Sequence, residues 1–203
     1  MSVCFLCEGL MSEEEEKMQQ ALLKLKELVR QVSITRFKQS AQNDAYNLLE
    51  VPKSSEKTVF DHWMSLILIS GKSLRVTFKT HFNIKTCRKI ASPIYGKKPD
   101  DIAVRQAQDF VKEYGNLAAG FLKKIFEEQD VEVGISLPLV IRGFDEVFFD
   151  KSPDESKLED CWRLDNGATN LVCTSLLEVY QPDIIHELDF NIEEEEEEEI
   201  DFL

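Results

Sequence analysis

The sequence lacks the features that mark membrane-spanning, secreted or nucleic-acid-binding proteins. No stretch approaches the roughly eighteen consecutive apolar residues of a transmembrane helix. The apolar start, Met1–Leu10, has no basic residue and leads into the acidic run Glu13–Glu16, unlike a signal peptide. With 24 Lys and Arg against 38 Asp and Glu, the chain has little basic surface for phosphate contacts. We therefore expect a soluble, cytoplasmic protein with no membrane or nucleic-acid partner.

Cysteine and histidine are too few and too scattered to indicate a disulfide framework or a resident metal. The cysteines number five, and only Cys4 and Cys7 have the Cys-x-x-Cys spacing of metal or redox sites. A structural zinc site needs about four ligands, and no second pair follows. A phosphate-binding glycine loop and a Ser/His/Asp set are also missing. We expect no cofactor of the chain's own, and we take residues 1–11 as an N-terminal segment.

Negative charge is concentrated at the C-terminal end. The segment Glu187–Leu203 contains ten acidic residues, including the run Glu193–Glu199, and no Lys or Arg. Removing it raises the net charge from −14 to −4. Such a run is typical of a solvated, disordered tail, although it could also contact a basic partner. We assign residues 183–203 to an acidic disordered tail.

The first half of the chain predicts a helix, a connection and a β-hairpin. Ser12 and Glu15 have the spacing of a capping box, and apolar residues then recur every three or four positions to about Arg36. The polar stretch Gln39–Thr58 is predicted to be a connection with at most a short helical piece. The apolar run Trp63–Ile69, a Ser-Gly-Lys turn and the alternating residues 74–78 predict a hairpin with a buried first strand and a half-exposed second.

The second half predicts two helices and several strands. A helix near Asn83–Ser92 should end at Pro93, and a long helix should run from an N-cap at Asp100 to about Glu128. Val131–Ile141 is β-rich, and its Pro138 indicates an edge or an irregularity. Three further strand candidates are Glu146–Phe149, Glu159–Leu164 and Thr169–Tyr180, the last two joined at Asn166-Gly167.

This order of elements indicates an α+β domain with helices packed on a mostly antiparallel sheet. We place the N-terminal helix and connection at residues 12–58 and the main domain at residues 59–182. The helix at 12–36 is expected to pack on the main domain.

The long helix has an apolar face and a separate polar stripe. At about 100° per residue, with Glu113 at 0°, eight apolar residues fall between about 40° and 160°. These are Ala107, Phe110, Val111, Tyr114, Leu117, Ala118, Phe121 and Ile125. Glu113, Asn116, Gly120 and Asp109 lie between about 300° and 0°, so Glu113 and Asn116 should point outward together. Gly120 costs roughly 1 kcal/mol relative to alanine in a helix, which suggests that another surface comes close there.

Glu113-x-x-Asn116 alone is a weak motif, because exposed Glu and Asn side chains are usually just solvated. Asp44 and Asn47 have the same spacing with a shorter acid, but no periodic helix surrounds them, so we do not predict a site there. Arg142 could contact a partner, although a solvated arginine is the simpler interpretation.

The context of the motif adds specificity. The segment Glu113-Tyr-Gly-Asn116-Leu-Ala-Ala-Gly120 resembles the E-x-x-N helix of the CheX, CheC and FliY phosphatases of bacterial chemotaxis. The following segment Ile135–Gly143 resembles the family's strand with a central proline and a terminal glycine. The preceding hairpin and helix come in the family's order, and the similarity spans about Asp61 to Tyr180.

The resemblance implies a response-regulator phosphatase. Its partner would be a phosphorylated CheY-like receiver domain, which supplies its own phosphoaspartate, Mg²⁺ and lysine. Asn116 would orient the attacking water, and Glu113 would pair with the receiver's lysine. Gly120 and Asp109, on the same stripe, are predicted to contact the partner.

Some features depart from the family's pattern or leave an alternative open. CheC-like members carry two motifs, whereas one motif resembles the CheX type and implies a homodimer joined through its sheets. The Cys4/Cys7 segment and the glutamate run lie outside the pattern. The alternative function is a non-catalytic CheX-like binding module that docks on a receiver or another signalling partner.

Overall fold

This computed structural model describes residues 12–51, 61–142 and 155–188. Its helices pack on an antiparallel β-sheet. The helices are α1 (Glu13–Ala41), α2 (Ile84–Tyr95), α3 (Val104–Glu127) and α4 (Pro182–Glu187). The strands are β1 (Asn47–Glu50), β2 (Trp63–Gly71), β3 (Leu74–Phe82), β4 (Val133–Ile135), β5 (Leu139–Arg142), β6 (Lys157–Asp165) and β7 (Asn170–Val179). The expected α+β fold with helices on an antiparallel sheet is confirmed. The predictions for Cys4, Cys7, Glu146–Phe149 and the glutamate run lie outside the described residues.

The strand order is β1-β6-β7-β3-β2, and β4 and β5 both pair with the outer side of β2. Pro138 separates β4 from β5, and as an imide it has no N–H to donate to a ladder. The irregularity predicted at this proline is therefore present, and one apolar segment is divided into two short strands. The last two strands form the predicted hairpin, with Gly167 at φ 83° in its turn.

The core lies between one face of the sheet and helices α1 and α3. Phe37 of α1 packs edge-on against Phe110 and Tyr114 of α3, at 6.4 and 5.0 Å between ring centroids. The Phe78 ring of β3 packs edge-on against Tyr114 and stacks on Trp162 of β6, and the ring centroids of both pairs are 5.9 Å apart. Edge-to-face and offset aromatic pairs favour defined relative orientations, so this cluster fixes how α3 sits on the sheet.

The burial predicted for the first hairpin was wrong. β3 is the more buried strand, with Lys79, Thr80 and His81 each at most 2% exposed, whereas β2 alternates between buried and half-buried residues. The reason is strand order: β3 lies between β2 and β7, while β2 borders the short strands β4 and β5. Sequence alternation does not reveal which strand will be central.

The connection after α1 also differs from the prediction. The capping box of Ser12 and Glu15 is present, but α1 continues five residues past Arg36 and ends at Gln42 in the left-handed region, φ 49°. The segment that follows forms the edge strand β1 instead of a helical piece, and it pairs with β6.

Both expected helix boundaries around α2 and α3 require correction. Pro93 lies within the last turn of α2, which ends at Gly96 with φ 59°. Asp100 is not the N-cap of α3 but belongs to a 3-10 turn, Pro99–Asp101. The N-cap is Ala103, whose backbone N–H donates to Gln106 Oε1 at 3.1 Å. The side chain at N3 thus supplies the cap that Asp100 was expected to provide.

The described fold extends past the predicted start of the acidic tail at residue 183. Helix α4 packs against α1, and Ile185 and Leu188 are buried in the shared core. Two apolar anchors before the glutamate run explain why the packed region reaches Leu188. Within the described ranges, no helix is long and apolar enough to cross a membrane.

Candidate functional site

Glu113 and Asn116 lie one turn apart in the middle of α3, and both side chains are exposed. Within residues 12–51, 61–142 and 155–188, neither side chain takes part in a hydrogen bond or an ion pair. A carboxylate and an amide are therefore presented together on the exposed face of α3. This geometry suits contact with another macromolecule better than enclosure of a small substrate, which is usually bound in a concave pocket.

A buried polar network fixes the orientation of α3. The Tyr114 hydroxyl lies 2.7 Å from Ser33 Oγ of α1, and Trp162 Nε1 donates to the same oxygen at 3.0 Å. Burial raises the pKa of Tyr114 well above its usual value, so this hydroxyl stays protonated and able to donate. Because Tyr114 follows Glu113 and points into the core, the network holds Glu113 and Asn116 on the opposite side.

Gly115 marks the close approach of α3 to the sheet. It is buried, and a Cβ built there would lie 4.0 Å from Ile67 Cγ2 of β2. The apolar arc of α3 is consequently wider than predicted, because Gly115, Ala119, Leu122 and Phe126 are buried as well. The polar stripe keeps its predicted position on the remaining surface.

Gly120 continues the stripe one turn beyond Asn116. It is exposed, and a Cβ built there would meet nothing within 4 Å. The fold therefore does not require glycine at this position, although glycine lowers helix stability by roughly 1 kcal/mol relative to alanine. Close approach of a partner remains the prediction that accounts for this residue.

Asp109 begins the stripe and is partly engaged within α3. Its Oδ1 lies 2.5 Å from Lys112 Nζ, and its Oδ2 lies 3.7 Å from Arg105 Nε. Exposed pairs of this kind contribute about 0–1 kcal/mol each, so a partner could displace either of them at little cost. A docking role for Asp109 stays a prediction.

Tyr95, at the end of α2, lies beside the polar stripe of α3, although no sequence pattern predicted this position. Its hydroxyl donates to the Gln106 carbonyl of α3 at 3.4 Å, and the side chain remains 36% exposed. Burial raises its pKa, and the nearby charges of Asp109 and Glu113 raise it further. An exposed aromatic group thus borders the stripe, a placement that depends on the packing of α2 against α3.

The proline-bearing segment presents apolar and cationic groups beside α3. Leu137 is 90% exposed between β4 and β5, and the Arg142 guanidinium lies 5.3 Å from the ring centroid of Trp63. Both short strands contact α3. These groups lie at the edge of the sheet beside β2, whereas Gly143 lies outside the described residues.

The remaining candidates do not form a second site. Asp44 lies in a turn and Asn47 begins β1, so they do not share a helix face. Across the described ranges, no three His, Cys, Asp or Glu side chains are grouped to hold a metal. His81 is buried with Nε2 3.1 Å from Thr174 Oγ1, and His186 contacts Gln20 at 2.9 Å.

Comparison with known proteins shows which proteins this chain resembles. Residues 64–152 match the model of the chemotaxis phosphatase CheX. A CheX structure from Vibrio vulnificus shares 16% identity at a TM-score of 0.58, covering 74% of this chain and 97% of that one. A CheX–CheY–BeF₃–Mg²⁺ complex from Borrelia burgdorferi shares 14% identity at a TM-score of 0.56, covering 76% of this chain and 97% of that one. FliY from Thermotoga maritima shares 14% identity at a TM-score of 0.51, covering 88% of this chain and 97% of that one. No curated protein matches significantly.

Proposed function

We propose that this chain is a phosphatase of aspartyl phosphate on a CheY-like receiver domain, because residues 64–152 match the model of the chemotaxis phosphatase CheX. The observation that carries the proposal is the exposed pair Glu113 and Asn116 on α3, which is free of intramolecular partners among the described residues. The spacing of the pair resembles the family's E-x-x-N motif. The Borrelia complex, in which a CheX protein is bound to CheY, supports this class of partner.

The chemistry of the two side chains suits hydrolysis by positioning. Phosphoryl transfer gains most from alignment of the nucleophile and from charge stabilisation. The Asn116 amide is neutral, so it can approach an anionic phosphoryl group without charge repulsion and orient a water molecule in line with phosphorus. Glu113 pairs with the receiver's lysine and sets the docking geometry.

The partner supplies the rest of the active site. In this proposal the receiver contributes the phosphoaspartate, the Mg²⁺ and the lysine, and the chain binds no cofactor of its own. Gly120 gives the receiver room to approach α3, and Asp109 extends the contact toward the start of the helix. We also propose that the chain acts as a homodimer joined through its sheets.

The alternative is a CheX-like binding module that docks on a receiver or another signalling partner without hydrolysing the phosphoaspartate. The same exposed pair would then serve docking alone. This alternative predicts capture of the phosphorylated receiver with no change in the lifetime of its phosphoryl group.

The deciding experiment follows phosphate loss from a CheY-type receiver that has been loaded with a small phosphodonor. We expect the chain to accelerate the loss and Asn116→Ala to remove most of that acceleration. A hundredfold effect corresponds to about 2.7 kcal/mol of barrier. Equal rates with wild type and Asn116→Ala would refute the catalytic assignment, and binding without acceleration would favour the alternative.

A further inference from the structure

The segment from Asn83 to Lys98 is cationic in a chain whose net charge is −14. It contains Lys85, Arg88, Lys89, Lys97 and Lys98 and no acidic residue. On α2, the first three lie within a narrow arc opposite the buried Cys87 and Ile90, because positions three and four apart share a helix face. We call these five residues the α2 cationic face.

These cations have no acidic partner within the described part of the chain. Lys85, Lys89, Lys97 and Lys98 are exposed, and the half-buried Arg88 has a buried Nε without a hydrogen-bond acceptor. Cations on the other helices are mostly engaged. Lys17 pairs with Asp183, Lys26 with Asp160, Lys112 with Asp109, and Lys123 with Glu127. An unmatched cluster of positive charge with a buried unsatisfied donor favours an anionic occupant.

We propose that the occupant is the chain's own glutamate run, Glu193–Glu199. The segment Glu187–Leu203 contains ten acidic residues and no Lys or Arg, so its charge is complementary to the α2 cationic face. Because the run is tethered to the same chain, its effective concentration at the face is on the order of millimolar, which compensates for weak individual ion pairs.

The tether is long enough for this contact. Leu188 is anchored near the first half of α1, where Lys24 Nζ donates to the His186 carbonyl at 2.8 Å. From Lys24 to the end of α1 at Ala41 is about 26 Å at ~1.5 Å per residue. Extended chain reaches at most ~3.3 Å per residue, so Glu193 can lie up to about 17 Å and Glu199 up to about 36 Å from Leu188. The run can therefore span the length of α1 from Lys24 to its end, and α2 contacts α1.

The location gives the contact a consequence for the neighbouring stripe. Tyr95 at the end of α2 touches the Gln106 carbonyl and lies within the electrostatic influence of Asp109 and Glu113. A tail bound to the α2 cationic face therefore adds negative charge and bulk beside Glu113. It would oppose the approach of any anionic partner to α3.

The test uses a full-length variant in which all seven residues Glu193–Glu199 are replaced by Gln. The probe is a fluorescent peptide with the sequence of residues 189–203, and its binding is measured by anisotropy at low and at physiological salt. The peptide should bind the tail-neutral variant and bind the wild-type chain more weakly, because the wild-type tail occupies the face. With an effective concentration of about 1 mM and a Kd of about 100 µM, the difference is about tenfold. Higher salt should weaken both.

Charge reversal locates the contact. In the tail-neutral background, Lys85→Glu with Lys89→Glu should abolish peptide binding, and Lys97→Glu with Lys98→Glu in the loop after α2 provides an independent pair. Lys38→Glu with Lys72→Glu is the matched control, since it makes the same charge change elsewhere. Circular dichroism checks the fold of each variant.

Three results would overturn the proposal: no binding to the tail-neutral chain, equal binding to wild type and tail-neutral chain, or equal effects of the control and α2 pairs. Because the readout is peptide binding, none of these outcomes depends on phosphatase activity.

Discussion

The hydroxyl of Tyr114 lies 2.7 Å from Ser33 Oγ, and this buried contact ties the helix of the Glu-x-x-Asn motif to α1. Tyr114 is completely buried, and Ser33 is 1% exposed. Trp162 Nε1 donates to the same Ser33 oxygen, so one hydroxyl joins two helices and strand β6. The rotation of α3 about its axis, and hence the outward direction of Glu113 and Asn116, depends on this junction.

Tyr114→Phe should therefore lower the free energy of unfolding by about 1–2 kcal/mol, because it removes a hydrogen bond inside the core without leaving a large cavity. Urea unfolding measures the change. The matched control is Tyr95→Phe, whose hydroxyl makes a longer, partly exposed bond of 3.4 Å. That variant should change stability by no more than about 0.5 kcal/mol. Equal losses in the two variants would contradict the role given to the Tyr114 network.

Gly120 provides a prediction that separates stability from docking. Gly120→Ala should raise the free energy of unfolding by about 0.5–1 kcal/mol, since helix propensity improves and the added Cβ meets nothing within 4 Å. Gly120→Leu should fold equally well but weaken binding to a phosphorylated receiver, because the bulk projects from the proposed contact surface. Calorimetry and a pull-down measure the two quantities.

Gly115 supplies the contrast, as it faces Ile67 instead of solvent. Gly115→Leu should destabilise the fold, because its side chain must enter a packed layer between helix and sheet. If Gly120→Leu bound the receiver as tightly as wild type does, the predicted clearance at Gly120 would be wrong.

The parts of the fold that were predictable depend on local sequence. Ser12 and Glu15 cap α1 through contacts three residues apart, and Glu113 and Asn116 share a face because one helix fixes their spacing. Neither inference requires knowledge of the tertiary structure. The roles of the two residues came from the family resemblance, because spacing alone cannot distinguish a catalytic pair from a solvated one.

The parts that were missed depend on contacts distant in sequence. The burial of β3 follows from its place between β2 and β7, and β7 lies about a hundred residues further along the chain. Tyr95 borders the stripe only because α2 packs against α3. The N-cap of α3 is Ala103 and not the predicted Asp100, because the Gln106 side chain accepts the capping hydrogen bond from the Ala103 N–H.

The ion pair of Arg30 and Asp160 predicts a strong penalty for removing one partner. Two bonds of 2.6 Å join the guanidinium to the carboxylate, and both residues are less than 10% exposed. Arg30→Met should cost about 3–5 kcal/mol, because among the described residues it leaves the buried Asp160 carboxylate with Lys26, at 3.8 Å, as its one remaining cation.

The double variant Arg30→Met with Asp160→Leu tests the physical reason for that cost. Because it removes both buried charges, we expect it to be more stable than Arg30→Met alone in urea unfolding. If the stability lost in the double variant equalled the sum of the losses in Arg30→Met and in Asp160→Leu, desolvation of an unpaired charge would not be the cause.

Glu50 gives a prediction for acid conditions. Its carboxylate accepts a hydrogen bond from Arg30 Nη2 at 3.2 Å, and this contact lowers its pKa below the ordinary value of 4.5. A carboxyl group with a lowered pKa in the folded state stabilises the fold above its unfolded-state pKa. The contribution is lost as the pH falls through the lowered value. Carboxyl NMR should report the lowered pKa, and Glu50→Gln should lose stability at pH 7 but little at pH 2. An ordinary pKa for Glu50 would remove the basis of this expectation.

Substitutions of Asn116 and of Glu113 should change different kinetic constants if the proposed division of their roles is right. Asn116→Asp keeps the size and the helix but places a negative charge where the amide would meet the phosphoryl group. It should lower kcat for receiver dephosphorylation by about a hundredfold, or about 2.7 kcal/mol, with a smaller change in KM. Glu113→Gln removes the charge that pairs with the receiver's lysine, so it should mainly raise KM. Since both side chains are exposed and form no hydrogen bond within the described residues, neither variant should change stability by more than about 0.5 kcal/mol. A loss of kcat for Glu113→Gln equal to that for Asn116→Asp would show that the two groups act together in the chemical step, and that docking and water orientation are not separate tasks.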